Sequence, residues 1–159
     1  MGRVTNEKDL LREREELRRN GQTVVFTNGC FDVLHAGHLD SLRRARAEGD
    51  FLVVGLNGDD SVRRLKGEGR PLVSEGDRAE LLAALEPVDR VVLFHEDTPA
   101  RIIGRLLPDV LVKGGDYAPE DVVGADAVRG AGGRVVIVPL KEGLSTRGLI
   151  ARVLERYGD

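Results

Sequence analysis

The chain has 159 residues, enough for one well-packed domain and too few for two ordinary ones. Hydrophobic residues at 41% and charged residues at 32% are typical of a globular protein, and the near balance of 24 basic and 27 acidic residues argues against a nucleic-acid binder. No apolar run approaches the roughly 20 residues that cross a bilayer, and the first residues lack the apolar core of a secretory signal. The single Cys30 cannot form an internal disulfide. We therefore expect a cytoplasmic protein without membrane contact.

Short apolar runs alternate with amphipathic segments along the chain. A charged helix is predicted first, over Asn6–Asn20. Strands are predicted at five apolar runs, namely Thr23–Phe26, Phe51–Leu56, Arg90–Leu93, Val110–Val112 and Val135–Val138. Helices are predicted at His38–Glu48, Asp59–Leu65, Glu75–Leu85, Pro99–Leu107, Pro119–Ala131 and Ser145–Arg156. Because each strand is a continuous apolar run, both of its faces are expected to be buried.

This alternation predicts an α/β fold of the Rossmann-like kind, with helices on both faces of a parallel sheet. The economical arrangement is a five-stranded sheet in the order 3-2-1-4-5. Residues 1–20 are predicted to form an N-terminal helical extension, and residues 21–159 a single domain.

The most informative segment runs from Thr27 to His38 and reads Thr-Asn-Gly-Cys-Phe-Asp-Val-Leu-His-Ala-Gly-His. It follows a predicted strand and opens a helix, so His35 and His38 share one face of the first turn. Backbone N–H groups and the helix dipole favour anions at that position, and Gly37 leaves space beside the backbone. The segment therefore predicts a nucleotide site that binds a polyphosphate.

Two further polar clusters, Lys113–Tyr117 and Glu142–Arg147, follow the fourth and fifth predicted strands. If the first and fourth strands are neighbours, all three clusters converge on one crevice at the carboxyl ends of the strands. The long loop Lys66–Ser74 contains Gly and Pro, and such a loop is often a functional lid.

These residues carry a resemblance to a known family. Gly29 to His38 resembles the G-x-F-D-x-x-H-x-G-H signature of the cytidylyltransferase-like nucleotidylyltransferases. Within that superfamily the chain is similar to heptose 1-phosphate adenylyltransferases of ADP-heptose synthesis for lipopolysaccharide cores. Three blocks narrow the resemblance, namely Arg64-Leu65-Lys66-Gly67 with Arg70-Pro71, then Glu96-Asp97-Thr98-Pro99, then Leu111-Val112-Lys113-Gly114-Gly115-Asp116-Tyr117. Many relatives carry a sugar kinase before this domain, and the chain resembles the stand-alone form.

The resemblance implies that the oxygen of a sugar 1-phosphate attacks the α-phosphorus of ATP and that pyrophosphate leaves. His35, His38 and Lys66 are the implied catalytic residues, which stabilise charge on the phosphates. The other implied nucleotide-binding residues are Asn28, Gly29, Cys30, Phe31, Asp32, Gly37, Arg78, Lys113, Gly114, Gly115, Asp116, Ser145 and Thr146. Ser145 and Thr146 are expected at the β- and γ-phosphates, and Gly114 to Asp116 at the base and ribose. Mg²⁺ is expected with ATP, held mainly by phosphate oxygens and water, with no protein metal site.

Several residues have a plainer interpretation. The two histidines have the spacing of metal ligands but lack an evident third ligand, and Asp32 could serve only to brace the loop. Cys30 is interpreted as a small apolar side chain, and Lys66 and Lys113 could be solvated lysines. Arg147 replaces a small hydroxyl residue of close heptose relatives, and we leave it out of the core site.

Two alternative functions stay open. The first is a cytidylyltransferase acting on glycerol 3-phosphate or a phospho-alcohol. Leu140 argues against it, because relatives that use CTP have arginine at this position. The second is a nucleotide-sensing module without catalysis, although both histidines and Lys66 are present. A homodimer and a separate heptose kinase are the expected protein partners.

Overall fold

Six parallel strands form the sheet at the centre of the protein, and the computed structural model describes all residues from 1 to 159. The strands are β1 Arg3–Thr5, β2 Val24–Gly29, β3 Phe51–Asn57, β4 Arg90–Phe94, β5 Val110–Gly114 and β6 Arg134–Val138. The helices are α1 Glu7–Arg19, α2 Ala36–Arg46, α3 Asp59–Lys66, α4 Glu75–Ala83, α5 Ala100–Leu106, α6 Ala125–Gly130 and α7 Thr146–Tyr157, with a short 3₁₀ turn at Pro119–Asp121. The α/β Rossmann-like class predicted from the sequence is confirmed.

The sheet order is β1-β4-β3-β2-β5-β6, so the prediction of five strands was wrong by one. The five predicted strands are β2 to β6, and they stand in the predicted order. The additional strand β1 pairs with β4, with Arg3 opposite Arg90, and forms one edge of the sheet. It consists of only three residues and contains no apolar run, so it has no pattern that indicates a strand. Residues 1–20, predicted as a helical extension, thus contribute β1 to the sheet and α1 to the layer of helices packed on it.

The hydrophobic core has two layers, one on each face of the sheet. Strand β3 divides its side chains between them, since Leu52, Val54 and Leu56 pack on the face covered by α2 and α4, while Val53 packs on the face covered by α1, α5 and α6. All four side chains are fully buried. This two-sided burial is the reason why the strands have continuous apolar runs.

One predicted helix is interrupted. The segment Pro119–Ala131 was expected to be continuous, but it forms the 3₁₀ turn and then α6, separated by Gly124. Gly124 has a φ of 87°, and a Cβ at this position would lie 2.6 Å from the side chain of Ile103. The close approach of α5 therefore requires a glycine in the left-handed conformation at the N-cap of α6, and this conformation interrupts the predicted helix.

The last helix, α7, differs from the others because none of its residues is buried. Its apolar side chains Val153, Leu154 and Tyr157 are all exposed. The helix is connected to the domain mainly through its first turn, which begins at the N-cap Ser145. No helix in the protein combines the length and the apolar character required to span a membrane.

A buried arginine connects α1 to the rest of the domain. The guanidinium of Arg14 donates hydrogen bonds to the backbone carbonyls of Leu106 (3.3 Å) and Leu107 (2.7 Å) and to the carboxylate of Asp109 (3.0 and 3.2 Å). The same carboxylate accepts the backbone N–H of Val24 at 2.8 Å. Arg14 therefore satisfies the carbonyl groups at the end of α5 and fixes the starts of β2 and β5.

We predict that Arg14→Ala lowers the free energy of unfolding by about 2 to 3 kcal/mol, because the partners of the guanidinium are left without a donor. Urea denaturation measures the difference. Arg18→Ala is the matched control on the same helix, since Arg18 forms an exposed ion pair with Glu15, and we expect a change below about 0.5 kcal/mol. Equal effects of the two substitutions would contradict the role given to Arg14.

Candidate active site

A cleft of about 730 Å³ lies beyond the carboxyl ends of the central strands. The loop after β2, the end of α3, the segment after β5 and the start of α7 all contribute to it, so the three polar clusters of the sequence meet in one place. Of the residues that the sequence suggested, those lining the cleft are Asn28, Gly29, Cys30, Phe31, Asp32, His35, Gly37, His38, Lys66, Lys113, Ser145 and Thr146. Arg78, Gly114, Gly115 and Asp116 do not line it.

His35 and His38 together form the N-terminal cap of α2. The Nδ1 atom of His35, the N-cap residue, accepts the backbone N–H of Gly37 at 3.1 Å, and the Nδ1 atom of His38 accepts the backbone N–H of His35 at 3.2 Å. The two rings are stacked, with centroids 3.9 Å apart. Because each Nδ1 is an acceptor, the single proton of each neutral ring is on Nε2, which leaves two N–H donors for a ligand.

Both imidazoles are uncharged at neutral pH. Burial lowers the pKa of His35, and burial together with the positive charge that His35 carries once protonated lowers the pKa of His38 to about 4. The backbone N–H groups of this turn, which the sequence suggested would bind an anion, already donate to the histidine rings. A ligand therefore meets the imidazole edges rather than the backbone of Gly37 and His35. A Cβ at Gly37 would lie 2.9 Å from the His35 ring and 3.2 Å from Leu144, so the absence of a side chain makes room for the imidazole.

The carboxylate of Asp32 fixes the lid loop. Its oxygens accept the backbone N–H groups of Leu72 (2.8 Å) and Val73 (2.9 Å) and the Nε–H of Arg70 (2.6 Å). Only 1% of Asp32 is exposed. Burial alone would raise the pKa of this carboxyl group, but the hydrogen bonds from Leu72, Val73 and Arg70 outweigh it and hold the pKa below its usual value. Asp32 therefore braces the loop, as the plainer interpretation of this residue expected.

Two residues beside Asp32 have strained backbone conformations. Phe31 has a φ of 48° and Val33 a φ of 57°, values that side chains with a Cβ rarely adopt. Such strain costs on the order of 1 to 3 kcal/mol per residue and persists only where surrounding contacts impose it. The Phe31 ring lies 5.4 Å from the His38 ring, so the strained turn places an aromatic side chain against the histidine pair.

Arg78 is a buried structural residue rather than a cleft residue. Only 1% of it is exposed. Its guanidinium donates to the carbonyls of Val73 (2.9 Å), Cys30 (2.7 Å) and Asn57 (2.8 Å) and to the carboxylate of Asp59 (2.8 Å). It thus joins the end of the lid, the β2 loop and the end of β3. No pattern in the sequence indicates this burial, and the expectation that Arg78 binds nucleotide directly does not fit its position.

The start of α7 forms the opposite wall of the cleft. The Ser145 hydroxyl accepts the backbone N–H of Gly148 at 3.0 Å, and the Thr146 hydroxyl donates to the backbone carbonyl of Asp32 at 2.9 Å. The backbone N–H groups of Thr146 and Arg147, in the first turn, have no partner within the helix. Arg147, which we left out of the core site, is exposed and lines the cleft.

Lysines stand at two other points of the cleft. Lys66, the last residue of α3, is exposed, and Lys113 near the end of β5 has its Nζ 5.3 Å from the centroid of the Tyr117 ring. Gly114, Gly115 and Asp116 lie in the chain between Lys113 and Tyr117 but do not themselves line the cleft. Gly115 has a φ of 119°, which the turn after β5 requires.

Cys30 lines the cleft as a protonated thiol. Burial raises its pKa, against the opposing charges of Lys66, Arg78 and Arg70. The protein has no group of three or more His, Cys, Asp or Glu side chains that could hold a metal ion. The acids of the cleft that make hydrogen bonds are directed at the protein, since Asp32 binds the lid and Asp97 pairs with Arg64 at 2.7 Å.

Several cleft residues were not among the site residues proposed from the sequence, among them Asn57, Arg70, Tyr117 and Lys141, although Arg70 and Tyr117 belong to the quoted motif blocks. Asn57 had a detectable signal, because it is a polar residue at the end of an apolar strand. Arg70 belongs to a motif block, but the block did not indicate its contact with Asp32, which spans 38 residues and depends on how the lid folds back.

Residues 26–152 match the family described as Cytidylyltransferase-like. The chain belongs to this family. The family named from the sequence motifs is thereby confirmed, and the cleft belongs to a cytidylyltransferase-like domain.

The curated relatives of this cytidylyltransferase-like chain are longer than the chain itself. It is 60% identical over 140 residues to the bifunctional protein HldE of Syntrophotalea carbinolica. It is 58% identical over 142 residues to the bifunctional protein HldE of Trichlorobacter lovleyi. The alignments cover 88% and 89% of the chain but only 29% of each relative.

Two solved structures share the fold of this cytidylyltransferase-like chain. The lipopolysaccharide core biosynthesis protein from Thermoplasma volcanium aligns with a TM-score of 0.62 and 29% identity, covering 76% of this chain and 98% of that protein. Pantoate-beta-alanine ligase from Francisella tularensis, in complex with beta-gamma ATP and beta-alanine, aligns with a TM-score of 0.67 and covers 94% of this chain and 73% of that protein. Because the two sequences are only 15% identical, this likeness shows a shared fold and nothing about function.

We predict that Asp32→Asn releases the lid and lowers the free energy of unfolding by about 3 kcal/mol, because an amide oxygen cannot replace both carboxylate oxygens. Limited digestion with trypsin tests the first effect, since release of the lid frees the chain after the exposed Lys66 to adopt the extended conformation that a protease binds. Asp40→Asn is the control on α2, where Asp40 pairs with Arg44 on the surface. Cleavage of both variants at the same rate as the unchanged protein would contradict the bracing role.

We predict that His38 makes the protein less stable as the pH falls from 6.5 towards 4. The pKa of His38 in the folded protein is about 4, below the ordinary 6.5, so the unfolded chain binds more protons in this window and is favoured by acid. The ring is only partly buried, which limits the effect to about 1 to 2 kcal/mol.

His38→Gln tests this prediction, because glutamine at this position can still accept the backbone N–H of His35 but does not titrate. Urea denaturation of both proteins between pH 6.5 and 4.5 should give a flatter stability curve for the variant. Parallel curves would contradict the prediction. The exposed His95 contributes in the opposite direction, since its hydrogen bond to Asp60 raises its pKa, and it is common to both proteins.

Proposed function

We propose that the protein is an adenylyltransferase that transfers AMP from ATP to D-glycero-β-D-manno-heptose 1-phosphate, giving ADP-heptose and pyrophosphate. The observation that carries the proposal is the pair of neutral imidazoles, each with Nδ1 bound to the backbone and Nε2–H left for a ligand. Family membership supports nucleotidyl transfer. The similarity to HldE proteins and to a lipopolysaccharide core biosynthesis protein supports the heptose substrate.

The reaction needs alignment and charge stabilisation rather than a protein nucleophile. An oxygen of the acceptor phosphate forms a bond to the α-phosphorus of ATP while the bond to the bridging oxygen of pyrophosphate breaks. His35 and His38 donate Nε2–H hydrogen bonds to the phosphate oxygens on which negative charge increases. Because the imidazoles are neutral, they do so without a counter-ion.

The positive charges needed for the triphosphate come from other elements. Lys66 at the end of α3 and Arg147 at the start of α7 approach the cleft from different sides. The first-turn N–H groups of α7 bind the β- and γ-phosphates together with Ser145 and Thr146. Mg²⁺ bound to the phosphates would neutralise charge on the leaving pyrophosphate.

The nucleobase is proposed to lie on the β5 and β6 side of the cleft. Leu140 is exposed there and contributes an apolar surface where relatives that use CTP have arginine. This favours ATP over CTP and therefore the heptose reaction over a cytidylyltransferase acting on glycerol 3-phosphate. The nucleotide-sensing alternative is disfavoured because both histidines and Lys66 lie in one cleft.

We also propose an oligomeric state, a location and a source of the acceptor for this protein. A homodimer is supported by the exposed apolar side chains of α7. A cytoplasmic location and supply of the acceptor by a separate heptose kinase stay predictions.

The first experiment measures pyrophosphate release with Mg²⁺ for each pairing of ATP or CTP with heptose 1-phosphate or glycerol 3-phosphate. The proposal requires release with ATP and heptose 1-phosphate. Release only with CTP would retain the nucleotidyl transfer and overturn the substrate. Nucleotide binding without release for any pair would favour the sensing module.

We predict that His35→Ala and His35→Asn both lower kcat by on the order of a hundredfold or more, because each removes one donor to the transition state. The two variants differ in stability. Alanine also removes the N-cap of α2 and costs about 1 kcal/mol, whereas asparagine is a good N-cap and keeps the stability. Turnover and thermal melting are measured together. Near-normal turnover in His35→Asn would contradict the catalytic role.

A further inference from the structure

Asn57, the last residue of β3, lies in the wall of the cleft and has no role in the mechanism above. Only 4% of the residue is exposed. Its backbone is held in place, since the carbonyl of Asn57 accepts a hydrogen bond from the buried guanidinium of Arg78 at 2.8 Å. A buried amide on a fixed backbone is suited to recognising a ligand.

A chain of hydrogen bonds fixes the orientation of the Asn57 amide. The backbone carbonyl of Glu96 can only accept, so the Ser61 hydroxyl, 2.8 Å away, donates to it. The Ser61 oxygen must then accept the hydrogen bond from Asn57, and the atom 3.0 Å away is the amide nitrogen Nδ2. The flipped amide would place two acceptors against each other. Asn57 therefore keeps Nδ2 on Ser61 and Oδ1 on the opposite side.

The Oδ1 atom of Asn57 receives no hydrogen bond from the protein, because the amide makes only the contact to Ser61. Every fully buried side-chain nitrogen or oxygen in the structure has a partner. An Oδ1 without a partner on a residue that lines the cleft must therefore be open to the cleft. It is an acceptor held in one orientation that awaits a donor.

Asn57 lies on the opposite side of the cleft from the residues proposed to bind the nucleobase. In the sheet, β3 lies on one side of β2, and β5 lies on the other. The β5 side carries Lys113, Tyr117 and the start of α7, whereas the β3 side carries Asn57 and the segment of Asp97 and Thr98 that follows β4. The histidine pair follows β2 between them, at the point where donor and acceptor phosphates must meet.

We propose that Asn57 is a specificity-determining residue whose Oδ1 accepts a hydrogen bond from a hydroxyl group on the sugar ring of the acceptor. The inference rests on the proposed function and assigns the β3 side of the cleft to the sugar. The Asn57 oxygen and the Asp97 carboxylate are acceptors on this side, whereas Lys66 at the end of α3 supplies the positive charge that the phosphates need. Sugar hydroxyl groups supply the O–H donors that such a surface requires.

The test compares steady-state kinetics of the unchanged protein and Asn57→Ala with ATP, Mg²⁺ and heptose 1-phosphate. Loss of one hydrogen bond to a substrate hydroxyl should raise KM for the sugar phosphate by about tenfold and leave KM for ATP within about twofold. Asn20→Ala, an exposed position at the end of α1, is the control and should change neither constant. A rise in KM for ATP with an unchanged KM for the sugar would overturn the assignment.

Monodeoxy analogues of heptose 1-phosphate supply a second measurement that needs no variant. The unchanged protein should lose about tenfold in kcat/KM with one of these analogues, and Asn57→Ala should lose nothing further with that analogue, because both changes remove the same bond. Equal kcat/KM for every analogue would overturn the inference even if Asn57→Ala failed to fold.

Ser61→Ala tests whether Ser61 acts by positioning the amide. It leaves the amide of Asn57 free to rotate, so we expect a smaller rise in KM for the sugar, about threefold, with kcat and KM for ATP unchanged. Failure of the unchanged protein to use heptose 1-phosphate would overturn the proposed function itself. Normal use of that substrate with an unaffected sugar KM in Asn57→Ala would overturn only the role of Asn57.

Discussion

The buried carboxylate of Asp32 is the contact on which the rest of the site depends. A charge in this position is tolerated only when donors surround it, and Asp32 obtains them from Arg70, Leu72 and Val73 of the lid. Its backbone carbonyl also accepts the hydroxyl of Thr146. One residue thus joins the loop after β2, the lid and α7. The strained turn on either side of it persists because these contacts outweigh the strain.

The histidine pair shows how a structural role can prepare a chemical one. Each ring uses Nδ1 to complete the cap of α2, which fixes the tautomer and directs the remaining proton to Nε2. Burial keeps both rings neutral, so they donate hydrogen bonds without adding charge to a cleft where Lys66, Lys113 and Arg147 already supply it. The stacking of the rings limits how far either can move.

The sequence predicted those parts of the molecule that depend on local pattern. Continuous apolar runs predicted β2 to β6, and the order of those strands followed from placing the polar clusters together. Patterns failed where long-range packing decides. Three polar and apolar residues became the edge strand β1 because β4 was available for pairing. A predicted helix was divided at Gly124, which packs closely against Ile103.

The same distinction applies to the site. The motif indicated His35 and His38 as a pair on one turn, but it could not show that they cap each other. Arg78 stood in a matching motif, yet its guanidinium is buried among carbonyl groups. The position of Asn57 could be detected in the sequence, but the orientation of its amide could not, because it depends on Ser61 and on a carbonyl 35 residues from Ser61 in the sequence. Motifs indicate which residues are near a ligand, whereas hydrogen-bond chains decide which atoms face it.

The light attachment of α7 has a consequence for ligand affinity. No residue of this helix is buried, and its first turn both bonds to Asp32 and forms one wall of the cleft. The free energy that holds the helix in place and the free energy that holds a ligand against its first turn are therefore thermodynamically linked. A molecule that covers Val153, Leu154 and Tyr157 and thereby fixes the helix would raise the affinity of the cleft for its ligand. By reciprocity, the ligand in the cleft would raise the affinity of the helix for that molecule by the same factor.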